Sequence, residues 1–219
     1  MDDTELGLRE RKRRATRHAI QLAALRLATE RGPDRVTIEE IGRVADVSPR
    51  TFFNYFATKD DALLGDSPEL PTGEPVDCFV HGPHRGCILD DLVPIFTAMA
   101  DAAQEHADVH LLRKRLIRAN PNLLGVRVST AHRFEAQVAA LIAQRLRADC
   151  GVERSEEEVQ SRSRLLALVA LSTLRHAWTQ WTEQDGADPL RDYVLKSFAA
   201  LREVLPAPAA DRSAVSGRL

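Results

Sequence analysis

Three helix-start signals fall within 22 residues near the N-terminus, and they commit that stretch to short, separately capped helices. Thr37 is followed three residues later by Glu40, a capping box in which each side chain satisfies an orphan backbone N–H. Ser48 precedes Pro49, a capping hydroxyl followed by the residue favoured in the first helical turn. Thr58 opens a third helix, with Asp60 and Asp61 placed favourably against its N-terminal dipole. The first two starts define a helix from Thr37 to about Ala45, a turn at Asp46, Val47 and Ser48, and a helix from Pro49 to about Phe56. That is a helix-turn-helix, with Ile38, Ile41, Ala45, Val47, Phe52 and Phe56 as its small core.

The chemistry lies on the outer face of the second helix. At about 100° per residue, with Phe52 inward, Arg50, Thr51 and Asn54 point away from the core, and Phe53 and Tyr55 flank them. A guanidinium, a hydroxyl and a carboxamide are groups that pair with base edges and phosphates in a major groove. Ser48, Thr37, Thr58 and Lys59 stand at the helix starts, where backbone N–H groups and a cation suit a phosphate. Upstream, Ile20, Ala24 and Leu27 recur at helical spacing in a helix from about Glu10 to Arg31, ended by Gly32 and Pro33. Its first part is a basic arm, with six basic residues and one acid between Arg9 and Arg17. Arg11, Lys12, Arg13 and Arg14 are expected to add salt-dependent affinity through the minor groove, as basic arms often do. The whole-chain net charge of −2 conceals this arm and so does not argue against nucleic acid.

Segment Ile20 to Leu64, "IQLAALRLATERG…VTIEEIGRVADVSPRTFFNYFATKDDALL", closely resembles the DNA-binding domain of the TetR (tetracycline-repressor) family. The resemblance implies an all-α chain: an N-terminal helix-turn-helix three-helix domain and a larger C-terminal helical ligand-binding and dimerisation domain. It also implies a homodimer on a double-stranded inverted-repeat operator, with repression relieved by a small molecule. Two positions depart from the commonest pattern. Asp46 replaces the usual turn glycine and is a residue tolerated in the left-handed conformation. Phe53 replaces a common tyrosine, so a phenol-to-phosphate bond gives way to Tyr55 or to contact with a thymine methyl. "VSPRTFFNYF" and "LIRANPNLLGVR" resemble a branch of the family associated with acyl-CoA-like effectors.

The rest divides into a linker loop at 66–88, a helical body at 89–205 and a disordered tail at 206–219, after a DNA-binding domain at 1–65. Pro68, Pro71, Pro75 and Pro83, with Gly65, Gly73, Gly82 and Gly86, mark the linker. Within it, Cys78, His81, His84 and Cys87 have spacing that a zinc-responsive regulator would need, although it is not a common finger spacing. The simpler expectation is no metal and no cofactor. Helices are expected from Asp90 to His106, Val109 to Ala119, Leu123 to Asp149, Ser155 to Gln184, and onward from Asp188-Pro189. The helix from Ser155 is apolar nearly all round its middle, so a second subunit is its natural cover. Phe96, Met99, Leu116, Phe134 and Trp178 are candidate walls of an effector cavity, each also readable as plain core.

Other classes fit less well. An all-helical enzyme acting on an apolar ligand is the alternative, but no nucleophile–base pair, phosphate loop or paired carboxylate stands out; Asp90-Asp91 reads as a helix start. The longest uncharged apolar run, Leu165 to Leu174, is ten residues, against about 20 for a membrane span. No secretory leader opens the chain and three cysteines cannot all pair, which points to a reducing cytoplasmic setting.

Overall fold

In the computed structural model, backbone is described for residues 3–65, 68–83, 87–149 and 154–204, and side chains for these residues apart from 3–6 and 124–130. The expected tail at 206–219 lies outside them. Helix is the only extended regular structure among the described residues: α1 (Asp3–Arg31), α2 (Ile38–Val44), α3 (Pro49–Tyr55), α4 (Lys59–Leu64), α5 (Glu74–His81), α6 (Ile88–Asp91), α7 (Val93–Gln104), α8 (Ala107–Ala119), α9 (Leu124–Ala148), α10 (Glu156–Glu183) and α11 (Leu190–Val204). The chain resolves into two compact units, residues 1–70 with 102–138, and residues 71–101 with 139–219.

The first unit is built on α1, which packs along α8 and against α2 and α4. Ile20, Ala24 and Leu25 of α1 are fully buried with Ile41, Phe52 and Leu63, and Val109 and Leu116 of α8 join the same core. The core around the helix-turn-helix therefore also takes in α8. Arg113 of α8 is buried and donates from Nε to the Leu63 carbonyl at 2.9 Å, at the C-terminal end of α4. Gly65, at φ 71°, follows that end, and a Cβ there would stand 2.8 Å from the Arg113 guanidinium. Glycine is thus required twice over, by backbone conformation and by space.

In the second unit α10 and α11 pack against each other, and Phe96 of α7 stacks on Phe198 of α11 with ring centroids 5.7 Å apart. Ser155, the expected start of this helix, caps α10 through a box with Glu158. The stretch expected as a plain loop at 66–88 contains α5. Gly73 turns the chain at φ 80°, Pro75 occupies the first helical turn, and Phe79 and Val80 give the helix a buried face. Proline there starts a helix instead of breaking one, because its missing N–H would have been an orphan anyway. For the same reason the helix expected from Asp90 to His106 is two helices, α6 and α7, with Pro94 in the first turn of α7. At the N-terminus α1 begins at Asp3, well before Glu10, so the basic arm is helical.

Candidate nucleic-acid interface

The helix-turn-helix is held by local chemistry. Thr37 Oγ1 accepts from the Glu40 N–H at 3.2 Å, and Glu40 Oε2 accepts from the Thr37 N–H at 3.1 Å. That backbone bond is the chief reason the Glu40 carboxyl lies below its ordinary range, helped by Arg31, whose Nη1 stands 3.0 Å from it. Thr58 and Asp61 make the equivalent box at α4. The turn between α2 and α3 places Asp46 at φ 54°, the left-handed position where the resemblance predicts glycine. Val47 N–H then donates to the Gly42 carbonyl at 2.8 Å. A Cβ on Gly42 would sit 2.6 Å from the Val47 carbonyl oxygen, so helix and turn approach too closely for any side chain there.

The recognition helix, α3, is pinned from below. Phe52 is completely buried and Phe56 nearly so, with their rings 5.8 Å apart. Ser48 caps the helix by accepting from the Thr51 N–H at 3.0 Å, and the Ser48 and Thr51 hydroxyls share a further hydrogen bond at 2.9 Å. Arg50 and Asn54 are exposed, as the helical rotation requires, and neither makes a hydrogen bond or ion pair among the described residues. Phe53 is 55% exposed and meets the Phe52 ring edge-on at 5.6 Å. The outer face thus carries a guanidinium, a carboxamide and an exposed aromatic ring on a rigid helix.

Several candidates are placed differently from expectation. Lys59 turns inward: its ammonium donates to the carbonyls of Pro33 at 2.7 Å and Val36 at 3.0 Å, tying α4 to the end of α1. A bare carbonyl pair in a half-buried setting holds a cation strongly, so Lys59 is a structural clamp. Tyr55 packs half-buried against the core, and only part of it stays beside the outer face. Arg11, Lys12, Arg13 and Arg14 are exposed, but on a helix, and Glu10 pairs with Arg14 at 3.3 Å and Arg13 at 3.8 Å. A helix about 10–12 Å across does not enter a groove about 6 Å wide, so the arm can meet phosphates but cannot thread the minor groove. Thr37 and Thr58 are exposed caps whose hydroxyls already donate to Glu40 and Asp61.

One contributor was not visible in the sequence as anything but charge. Arg17 donates to the Tyr55 carbonyl at 2.8 Å and lies 4.2 Å over the Phe56 ring, so α1 grips the C-terminal end of α3. Its helical phase, three residues before Ile20, was the available signal.

Of the effector-wall candidates, Leu116 belongs to the core around the helix-turn-helix, Phe134 is buried, Phe96 stacks on Phe198, and Trp178 stands edge-on to Trp181 at 5.4 Å. Met99 is half-buried. None of the five lines either of the two clefts of the second unit, one around Arg145 and one between α10 and α11. Cys78 and Cys87 are exposed free thiols, and His84 lies outside the described residues. Among the described residues no three His, Cys, Asp or Glu side chains are grouped to hold a metal, and no helix is long and apolar enough to cross a membrane.

Two family models match the chain. Residues 20–64 match the model of bacterial regulatory proteins of the tetR family, and residues 88–206 match that of the MftR C-terminal domain. The chain is 30% identical over 152 residues to the HTH-type transcriptional regulator TcmR of Streptomyces glaucescens, a match spanning 64% of each protein's length. Among solved structures, a FadR from Thermus thermophilus, a TetR-family repressor in complex with lauroyl-CoA, is 22% identical, covering 89% of this chain and 97% of its own, with a TM-score of 0.47. A TetR-family regulator from Streptomyces coelicolor is 23% identical, covering 86% and 81%, with a TM-score of 0.42. With one family model on the helix-turn-helix and a regulator's C-terminal domain matched over more than half of this chain, the chain belongs to the tetR family of bacterial regulatory proteins, whose members are transcriptional regulators and not enzymes.

Proposed function

We propose that the chain is a ligand-responsive repressor that seats α3 in the major groove of an inverted-repeat operator, as a homodimer, and is released by a small, partly apolar effector. The observation that carries the reading is the outward face of α3, where Arg50, Asn54 and Phe53 project from a helix whose opposite face is anchored by fully buried Phe52. Arg is the residue best suited to guanine O6 and N7, Asn to adenine N6 and N7, and an exposed ring to a thymine methyl. The helical arm with Arg11 and Lys12 supplies phosphate contacts that set affinity without setting sequence.

Dimerisation is supported by the second unit. Leu168 of α10 and Leu195 and Val204 of α11 are exposed, Val204 at 76%, and a cleft of about 490 Å³ runs between these helices past Leu168, Leu201 and Val204. Such a surface on the last two helices suits a self-complementary four-helix contact. Effector release follows if the ligand binds better to a dimer whose two α3 helices are badly spaced for DNA than to the competent one. The acyl-CoA-like class rests on the likeness of the two quoted segments alone.

The test is a band-shift titration on the DNA flanking its own gene. The Arg50→Ala, Asn54→Ala double variant should lose operator binding while keeping helicity and dimer mass. A double variant that shifts the same DNA like the parent would overturn the assignment.

A further inference from the structure

The second unit holds a cleft of about 460 Å³ between α6, the C-terminal end of α9 and the first turns of α10. That volume lies in the range of small-molecule pockets, about 300–1,000 Å³. Its floor is charged. Arg145 of α9 is only 2% exposed, and its Nη2 meets Asp91 Oδ2 of α6 at 2.9 Å. Its Nη1 donates to the carbonyls of Phe79 and Gly82, which ties α5 down. The segment carrying α5 lies between the two stretches matched by the family models.

Two further guanidiniums line the cleft. Arg154 is 13% exposed; its Nη1 reaches Asp149 at 3.5 Å and the Leu146 carbonyl at 3.4 Å, both long contacts. Its Nε is buried and meets no acceptor among the described residues. With both Nη1 contacts long, the guanidinium keeps donors for a carboxylate entering the cleft. Arg162, exposed on α10, is the third cation, against two carboxylates in the lining. Beside these groups stand Leu146, Leu166 and Leu165, the last a leucine 62% exposed.

We propose that this cleft binds a small amphipathic organic acid, its carboxylate held by Arg154 and Arg162 and its apolar body against Leu146, Leu165 and Leu166. Arg145 pairs with Asp91 and forms the floor. A guanidinium surplus of one selects a monoanion, and the leucine wall selects an acid with a hydrocarbon body over a bare anion. A neutral ligand would leave the surplus positive charge uncompensated, and a cation would be repelled by it. The proposal gives the effector of the preceding section a seat and a chemical class, and it rests on that reading only for its consequence at the operator.

The experiment is calorimetric titration of the full chain, without DNA, using 4-phenylbutyrate, its neutral counterpart 4-phenylbutanol, and acetate. The acid should bind, the alcohol should bind about tenfold or more weakly, and acetate should not bind measurably. Arg162→Gln, on an exposed face where folding is not at risk, and the Arg154→Gln, Arg162→Gln pair should each weaken the acid and leave the alcohol unchanged. Absence of acid binding at millimolar concentration, equal binding of acid and alcohol, or undiminished binding by the double variant would each overturn the proposal. A band-shift with the acid present separates the two readings. Acid bound in the cleft with operator affinity unchanged upholds the site and overturns its role as the effector seat.

Discussion

Arg17 illustrates how a residue's charge and its role part company. It ends the basic arm, yet its guanidinium is given to the Tyr55 carbonyl and the Phe56 ring. A cation at the last carbonyls of α3 opposes the helix dipole and holds the helix at a fixed tilt. Arg17→Ala should therefore weaken operator binding by about tenfold, while the slope of log affinity against log salt stays that of the parent. Lys12→Ala should instead weaken all DNA alike and reduce that slope by about one. Anisotropy titrations on operator and random DNA over a series of salt concentrations separate the two. Lys59 belongs with Arg17: Lys59→Met should lower unfolding free energy by about 1–2 kcal/mol and leave the salt slope alone, measured by urea denaturation beside the same titrations.

At the scale of elements, what was legible was local. The box at Thr37 joins residues three apart and forms; the helix starts at Thr58 and Ser155 also close, with Asp61 and Glu158 three residues on. The αL turn at Asp46 is equally local. What escaped was either ambiguous or distant. Gly73 and Pro75 read alike at the start of a helix and in a loop, so only the burial of Phe79 and Val80 settles that α5 exists. Arg17 and Arg145 find their partners 38 and 66 residues away, and no spacing rule reaches that far. Gly42 was legible as a helical residue but not as a contact point. Gly42→Ala should cost about 1–3 kcal/mol, because its Cβ meets backbone at Val47 that cannot rotate aside; a urea midpoint equal to the parent's would contradict this. The start of α10 gives a pH prediction. Glu156 has its pKa lowered from 4.5 to about 2, first by its hydrogen bond from Arg147 and then by that from Gln160. A depressed carboxyl contributes stability above its ordinary value and loses it as pH falls towards the lowered one. The pair is exposed, so the contribution is screened. An NMR titration of the Glu156 carboxyl should show a midpoint near 2, and a midpoint near 4.5 would remove the pairing from the account.

For the whole molecule, the apolar surface of α10 and α11 and the reading face of α3 make one joint demand. A single α3 offers Arg50, Asn54 and Phe53 to a few base pairs, too few to select one site in a genome; two copies double the readout. Leu168→Asp with Val204→Asp should convert the dimer to a monomer in sedimentation and lower operator affinity sharply, with helicity retained. A parent that sediments as a monomer at micromolar concentration would remove the dimer. The most direct measurement is a footprint on the DNA flanking the gene. The account predicts protection of an inverted repeat whose half-sites lie about one helical turn, roughly 34 Å, apart or a multiple of it, lost in the Arg50→Ala, Asn54→Ala variant. Protection without two-fold symmetry, or protection that survives that double substitution, would contradict it.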